Sequence, residues 1–440
     1  MKIQVLLAPL LTLVAVALAG KIDPSLQNAV TLGLTSTAIL ELPQVIDQVK
    51  SNPSHRSLSG DAKVASLVAS LRGLTSAAQA PHVAVAASLG LETKQYWISN
   101  VIVIRGVTLS TLSQLASTPG EFTLREQGTA QLVGDTEPIE VNVQLQNPQW
   151  GVAKIRAPAV HNITQGEGIV VGIIDTGVNL GHVALAAGYA GAWLDPYDNT
   201  PGPTDYRGHG SHVAGTVLGR ANGVGVAPAA QWTACRGFGA GSGVEEYLLD
   251  CGQFMVTSTP RPHIVCNSWA GGQGNPFFRP AVDAWREAGL IPVFAMGNYG
   301  PSCGSVMAPA SFPNVIGVGG TNDVDGMYTS SNRGPTTTGL LKPDVSAPAV
   351  NVLSCGMTAN DYVTMTGTSM ACPHVSGAIA LLLSANPTFT YDDVYAALTT
   401  SAVHPPVTNA DKNCGLPGPG DFPNQAYGHG RIDIAAAFGL

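Results

Sequence analysis

Residues 169–177 read Ile-Val-Val-Gly-Ile-Ile-Asp-Thr-Gly. A continuous apolar run of this length, rich in β-branched residues, is the pattern of a strand buried on both faces. It ends in Asp175, with Thr176-Gly177 following. Further short apolar runs stand at residues 231–235, 264–267, 290–295 and 315–318. Helical stretches lie between or beyond them, at 279–288 and 369–385. Doubly buried strands alternating with helices predict an α/β fold, with a parallel sheet covered by helices on both sides. In such sheets reactive residues gather at the carboxyl ends of strands. Asp175 and Asn298 both fall at such ends.

The composition agrees with a large, loop-rich globular protein. The chain has 440 residues, of which 45% are hydrophobic and only 11% charged, with 51 Gly and 31 Pro. The formal net charge is −8 and the basic residues are not clustered. Phosphate binding needs concentrated Lys and Arg, so no nucleic-acid partner is expected.

Residues 1–19 combine Lys2, an apolar run and Ala17-Leu18-Ala19, the pattern of a secretory signal peptide with a small-residue cleavage site. No other stretch reaches the roughly 18 apolar residues of a membrane span, so no membrane anchor is expected. The expected location is extracellular. Seven cysteines suit an oxidising compartment. Their odd number leaves at least one thiol unpaired or shared between molecules. Cys372 is the expected free thiol, and Cys235 with Cys251 could close a short loop. The pairing of Cys266, Cys303, Cys355 and Cys414 stays open at this level. Asn162-Ile163-Thr164 is a glycosylation sequon.

Before the α/β pattern begins, residues 20 to about 145 carry no catalytic constellation. Residues 97–104 are β-rich, Leu109, Leu112 and Leu115 stand at helical spacing within 108–117, and 121–125 alternates like a strand. These predict a small α+β domain. Residues 126–147 lack strong periodicity and read as an exposed connector.

Four strings carry chemistry. Gly367-Thr368-Ser369-Met370-Ala371-Cys372-Pro373-His374 leads into an apolar helix over 375–384. Ser369 then lies at a helix N-terminus, where unpaired N–H groups and the helix dipole favour a developing anion. Pro373 is expected in the first helical turn. Arg207-Gly208-His209-Gly210-Ser211-His212 offers a base, with glycines that permit close backbone approach. Asp175 at a buried strand end needs a partner to offset its desolvation, and a histidine N–H would serve. Asn298, after Met296-Gly297, can donate a side-chain N–H to an oxyanion. Hydrolysis through a serine requires such a nucleophile, base, orienting carboxylate and oxyanion donor. Asp-Thr-Gly also occurs in aspartic proteases, but those need two such carboxylates, and no second Asp-Thr-Gly or Asp-Ser-Gly is present. His209 and His212 stand three apart, without a third metal ligand at a convincing spacing.

Together these strings resemble the subtilisin-like serine proteases, with spacing most like the bacillopeptidase F group (note Cys266-Asn267-Ser268-Trp269). The order Asp, His, Ser along the chain matches that family. The resemblance runs from about residue 148 to the C-terminus and includes Val226-Ala227-Pro228, residues 342–348 and Tyr427-Gly428-His429-Gly430-Arg431. It implies a parallel seven-stranded sheet and a serine endopeptidase, with Asp175, His209 and Ser369 as triad and Asn298 in the oxyanion hole. Extended protein or peptide substrate would pair with Gly241, Ser242 and Gly243 on one side and Ser268, Trp269, Ala270 and Gly271 on the other. Ala270 stands where many relatives have Gly, which would narrow a neutral, apolar primary pocket. Residues 20–145 are similar in position, size and pattern to the family's inhibitory propeptide, with a self-processing cut expected between 130 and 148. The peptidase domain would then span 146–440. No room remains after His209 for the calcium loop some subtilisins insert, so that site is expected to be absent and no cofactor or metal site is expected, with calcium dependence itself left open. A monomer is expected. Neither an acidic cluster that would read dibasic sites nor a terminus clamp of an exopeptidase is evident in the substrate strands.

Overall fold

The computed structural model describes residues 20–34, 36–133, 139–140, 148–239, 241–415 and 421–440. The expected leader, and residues 134–138 and 141–147 of the expected 126–147 connector, lie outside the described residues. The chain divides into two compact units, one holding residues up to Pro43 with Ser76–Gln95 and Asn100–Glu126, the other Gln44–Thr75, Tyr96–Ser99 and Gln127–Leu440.

The first unit is built on a five-stranded sheet in the order Lys21–Ile22, Thr123–Glu126, Ser36–Glu41, Val101–Val107, Glu92–Tyr96. Helix Leu109–Ala116 starts where its spacing predicts, capped by the Thr108 hydroxyl, which accepts from Thr111 N. Leu112 and Leu115 join Leu40, Ile102, Ile104 and Leu124 in the core, while Leu109, in the first turn, is half exposed. The β-rich stretch at 97–104 is only partly strand: residues 97–100 turn, and Asn100 takes a left-handed backbone before Val101 begins the ladder.

The second unit is the parallel sheet. Its strands are β1 (Val170–Asp175), β2 (Tyr189–Leu194), β3 (Gln231–Arg236), β4 (Ile264–Asn267), β5 (Ile291–Ala295), β6 (Ile316–Thr321) and β7 (Val345–Pro348). They lie in the order β7-β6-β5-β4-β1-β3-β2, every neighbouring pair parallel. The apolar runs read from the sequence became β1 and β3 to β6. β2 and β7 were not predicted. β2 is an edge strand whose side chains are mostly only half-buried, so it lacks the continuous apolar signal.

Helices cover both faces. Val171 and Ile173 share a core with α1 (His209–Leu218) and α4 (Thr368–Ala385), which pack on each other. On the other face of β1, Gly172 leaves room for Met255 of α2 (Glu245–Thr257), which packs on α3 (Arg279–Glu287). α4 is the one described helix long and apolar enough to cross a membrane, and its side chains are buried in this core.

The connector departs from its expectation. Thr129–Leu132 is a strand, Ala130 and Val133 are buried, and Ile139–Glu140 pairs with Val363 and Thr364. Their partners lie more than a hundred residues away in sequence, so local periodicity carries no trace of the pairing.

Candidate active site

β1 lies between β3 and β4 and delivers Asp175 at its carboxyl end, buried. Its Oδ1 accepts from the Thr176 N–H at 2.7 Å and lies 2.7 Å from His209 Nδ1. When Nδ1 is the donor in this pair, Nε2 is the ring nitrogen left with a lone pair.

His209 is the first residue of α1, and Asp205 holds that turn. Asp205 Oδ1 accepts from the backbone of Arg207 and Gly208 and from Thr176 Oγ1, while Oδ2 accepts from Ser211 N and Oγ. Gly210 N in turn donates to Thr176 Oγ1 at 3.0 Å. One carboxylate thereby satisfies first-turn donors and ties the turn of His209 to that of Asp175. Sequence reasoning passed over Asp205, although an Asp just before a helix is an N-terminal signal. Gly210 is required by close approach: a Cβ there would lie 1.9 Å from the Gly177 carbonyl oxygen.

Ser369 is the second residue of α4, whose N-cap is Gly367. Pro373 was expected in the first turn but is the sixth helical residue, inside the helix. A proline there cannot donate to the carbonyl four residues back, which is that of Ser369. The Ser268 hydroxyl supplies the missing donor, at 2.8 Å from Ser369 O. The helix therefore tolerates Pro373 because the strand end beside it bonds the orphaned carbonyl.

Asn298 follows β5. Its Oδ1 accepts from both Thr368 N and Thr368 Oγ1 at 2.9 Å, which fixes the amide orientation. Its Nδ2 donates to the carbonyl oxygen of Val133 at 2.9 Å. The Ser369 hydroxyl lies 2.5 Å from the same oxygen and 3.0 Å from Ser268 O. Val133 N donates to Ser268 O at 3.4 Å.

The chain's own segment thus lies where substrate was expected. Thr129–Leu132 is the middle strand of an antiparallel sheet between Ser242–Val244 and Trp269–Ala270. Gln131 sits opposite both Ser242 and Ala270, Ala130 opposite Gly243, and Leu132 opposite Trp269. Of the expected substrate residues, Ser242, Gly243, Trp269 and Ala270 pair with it and Ser268 bonds Val133. Gly241 precedes the paired strand with φ +106°, and Gly271 N donates to Ala308 O instead. A cavity of about 200 Å³ beside Val133 is lined by Ala270, Gly271, Gly272, Tyr299 and Met307, with no charged side chain in its wall.

His212, His374, Cys266 and Cys372 are buried. His212 Nε2 lies 2.9 Å from Val352 O and His374 Nδ1 2.7 Å from Met370 O, and burial pushes their pKa values down to about 3 and about 4. Among the described residues, no group of three or more His, Cys, Asp or Glu is placed to hold a metal ion. Cys235 pairs with Cys251 and Cys303 with Cys414. Cys372 is a free thiol as expected, but so are Cys266 and Cys355. Cys266 and Cys372 face each other with sulfurs 3.8 Å apart.

The parallel sheet and the four strings that carry chemistry agree with one family. Residues 166–430 match the subtilase family, and the chain belongs to it. Bacillopeptidase F of Bacillus subtilis (strain 168) is 35% identical over 321 residues, covering 65% of this chain. The chain spans only 22% of that relative's length. An alkaline protease of Shouchella clausii is 33% identical over 278 residues, covering 62% of this chain and 69% of that protein. Subtilisin E of Bacillus subtilis (strain 168) is 32% identical over 266 residues, covering 59% of this chain and 67% of that protein.

Proposed function

We propose that this protein is a secreted serine endopeptidase, made as a zymogen that cuts itself after Val133. One observation carries the reading: the Val133 carbonyl oxygen meets both the Ser369 hydroxyl and the Asn298 amide, at 2.5 and 2.9 Å. A peptide seated as a strand with its carbonyl between a nucleophile and an oxyanion donor is the arrangement that acyl transfer needs.

In the reaction, Ser369 Oγ attacks the carbonyl carbon and His209 takes its proton. Asp175 holds the imidazole in the tautomer that leaves Nε2 basic and stabilises the imidazolium. Asn298 Nδ2 donates to the oxygen as it gains negative charge. His209 then protonates the leaving amine, which in self-processing is the nitrogen of Gly134. The acyl-enzyme is released by a water that attacks with His209 again as base. Strand addition supplies affinity through backbone bonds, so many side chains are accepted.

Residues 20–133 form the propeptide in this reading, whose last residues remain across the site as a product inhibitor. Secretion is supported by the leader-like N-terminus and by the two disulfides. No calcium requirement is assigned, and the protein acts as a monomer on extended protein segments.

The test is the intact mass of protein recovered from the medium, wild type beside Ser369→Ala. Wild type should begin at Gly134, and the variant should keep residues 20–133. Identical processing of both would assign the cut to another protease. Absence of processing, with no labelling of Ser369 by a fluorophosphonate, would sink the peptidase reading.

A further inference from the structure

The strand ladder does not stop at Thr129. Val244 pairs with Thr129, and the next residue on each side is Glu245 and Gly128. Glu245 N donates to Gly128 O at 2.8 Å, and Gly128 N donates back to the Glu245 carboxylate, Oε2, at 2.8 Å. The side chain thus takes over the accepting role of a backbone carbonyl at the point where α2 begins and the strand's own carbonyls turn away. Glu245 is wholly buried and is the first residue of that helix, where the dipole favours a negative charge.

We propose that Glu245 extends substrate recognition to the sixth residue on the acyl side of the cut, by accepting that residue's backbone N–H. This rests on the peptidase reading above, with Val133 as the first residue and Gly128 as the sixth. Glu245 is a specificity residue and lies outside the reacting atoms. The substrates it favours are long, extended polypeptides, as opposed to short oligopeptides. It also favours glycine at the sixth position, because a Cβ on Gly128 would lie 3.0 Å from Glu245 Oε2. A carboxylate accepting a peptide N–H is stronger than a neutral acceptor, so the contact adds affinity far from the scissile bond and should appear in KM.

The test uses two chromogenic peptides, acetyl-Gly-Thr-Ala-Gln-Leu-Val p-nitroanilide and the same peptide with N-methylglycine in place of glycine. They are assayed with the active form obtained from the full chain, wild type and Glu245→Ala. In wild type the methyl group should lower kcat/KM about tenfold, the size of one hydrogen bond to a charged acceptor, mainly through KM. In Glu245→Ala the two peptides should be cleaved alike, and Glu245→Gln should restore part of the difference. Equal cleavage of the two peptides by wild type would overturn the proposal, and that comparison stands even if the variants do not fold. An undiminished difference in Glu245→Ala would overturn it as well. If wild type cleaves neither peptide and Ser369 takes no fluorophosphonate, the peptidase reading itself fails, and the proposal with it.

Discussion

The Asn298 side-chain nitrogen lies 2.9 Å from the Val133 carbonyl oxygen, and the Asn298 side-chain oxygen is held by both donors of Thr368. The amide cannot rotate without losing both Thr368 bonds, so its N–H stays aimed at the carbonyl. A donor held this way needs no reorganisation when charge develops on the oxygen.

Replacing Asn298 by Ala should therefore lower kcat far more than it changes KM. The expected loss is about 10²–10³ in kcat, the size already known for such a donor in a subtilisin. Steady-state kinetics on a peptide anilide would check it. A change confined to KM would mean that Asn298 only binds substrate.

Val133 is buried against an uncharged cavity wall. Val133→Asp would place a carboxylate there without a partner, and its desolvation would oppose seating of the segment. Self-processing should slow by more than tenfold, followed as the mass of the chain over time. Processing of Val133→Asp at the wild-type rate would show that the cut lies elsewhere.

The bond from Ser268 Oγ to Ser369 O answers a vacancy created by Pro373. In a Ser369→Ala background, Ser268→Ala should destabilise the fold by about 1–3 kcal/mol, the cost of an unsatisfied buried acceptor. Adding Pro373→Ala should recover part of the loss, because the new N–H can donate to the same carbonyl. Denaturant midpoints of four proteins, the background, each single change and both together, would test this, and strictly additive effects would contradict it.

Buried, neutral His212 and His374 make the fold acid-sensitive. Their pKa values are lowered in the fold from the ordinary 6.5 to about 3 and about 4, chiefly by desolvation. Between those limits the unfolded chain binds more protons, so stability rises with pH. Their contribution is whole above pH 6.5 and is lost as pH falls toward the folded values, at up to about 1.4 kcal/mol per pH unit for each histidine. Thermal melts of Ser369→Ala should show a falling Tm from pH 7 to 4.5, and a flat profile would contradict the assignment.

Much of this was legible in the chain itself. The doubly buried runs of β1 and β3 to β6 announce a parallel sheet, because a strand covered on both faces has no polar alternation to hide it. Asp175, His209, Asn298 and Ser369 were picked out because the four strings that hold them together resemble the subtilisin family, each string also fitting its local setting: a buried strand end, close-packing glycines, a helix start. Where the neighbours were distant, the chain was silent. Asp205 looked like any loop carboxylate, although it ties the turns of Asp175 and His209 together. Pro373 was placed one turn too early, since the donor that permits it belongs to Ser268.

By itself the sequence determined the class of sheet and the strand ends that carry polar groups, because these follow from hydrophobic periodicity and local backbone constraint, while the roles of those groups came from the resemblance of the four strings to the subtilisin family. Only the tertiary structure decided that Thr129–Leu132 is a strand, that Val133 is the residue presented to Ser369 and Asn298, and that Glu245 meets Gly128. Those pairings join segments more than a hundred residues apart. In the segment itself they use backbone groups, met by the backbone of Ser242–Val244 and Trp269–Ala270 and by the side chains of Ser369, Asn298 and Glu245, so no side-chain pattern within the segment records them.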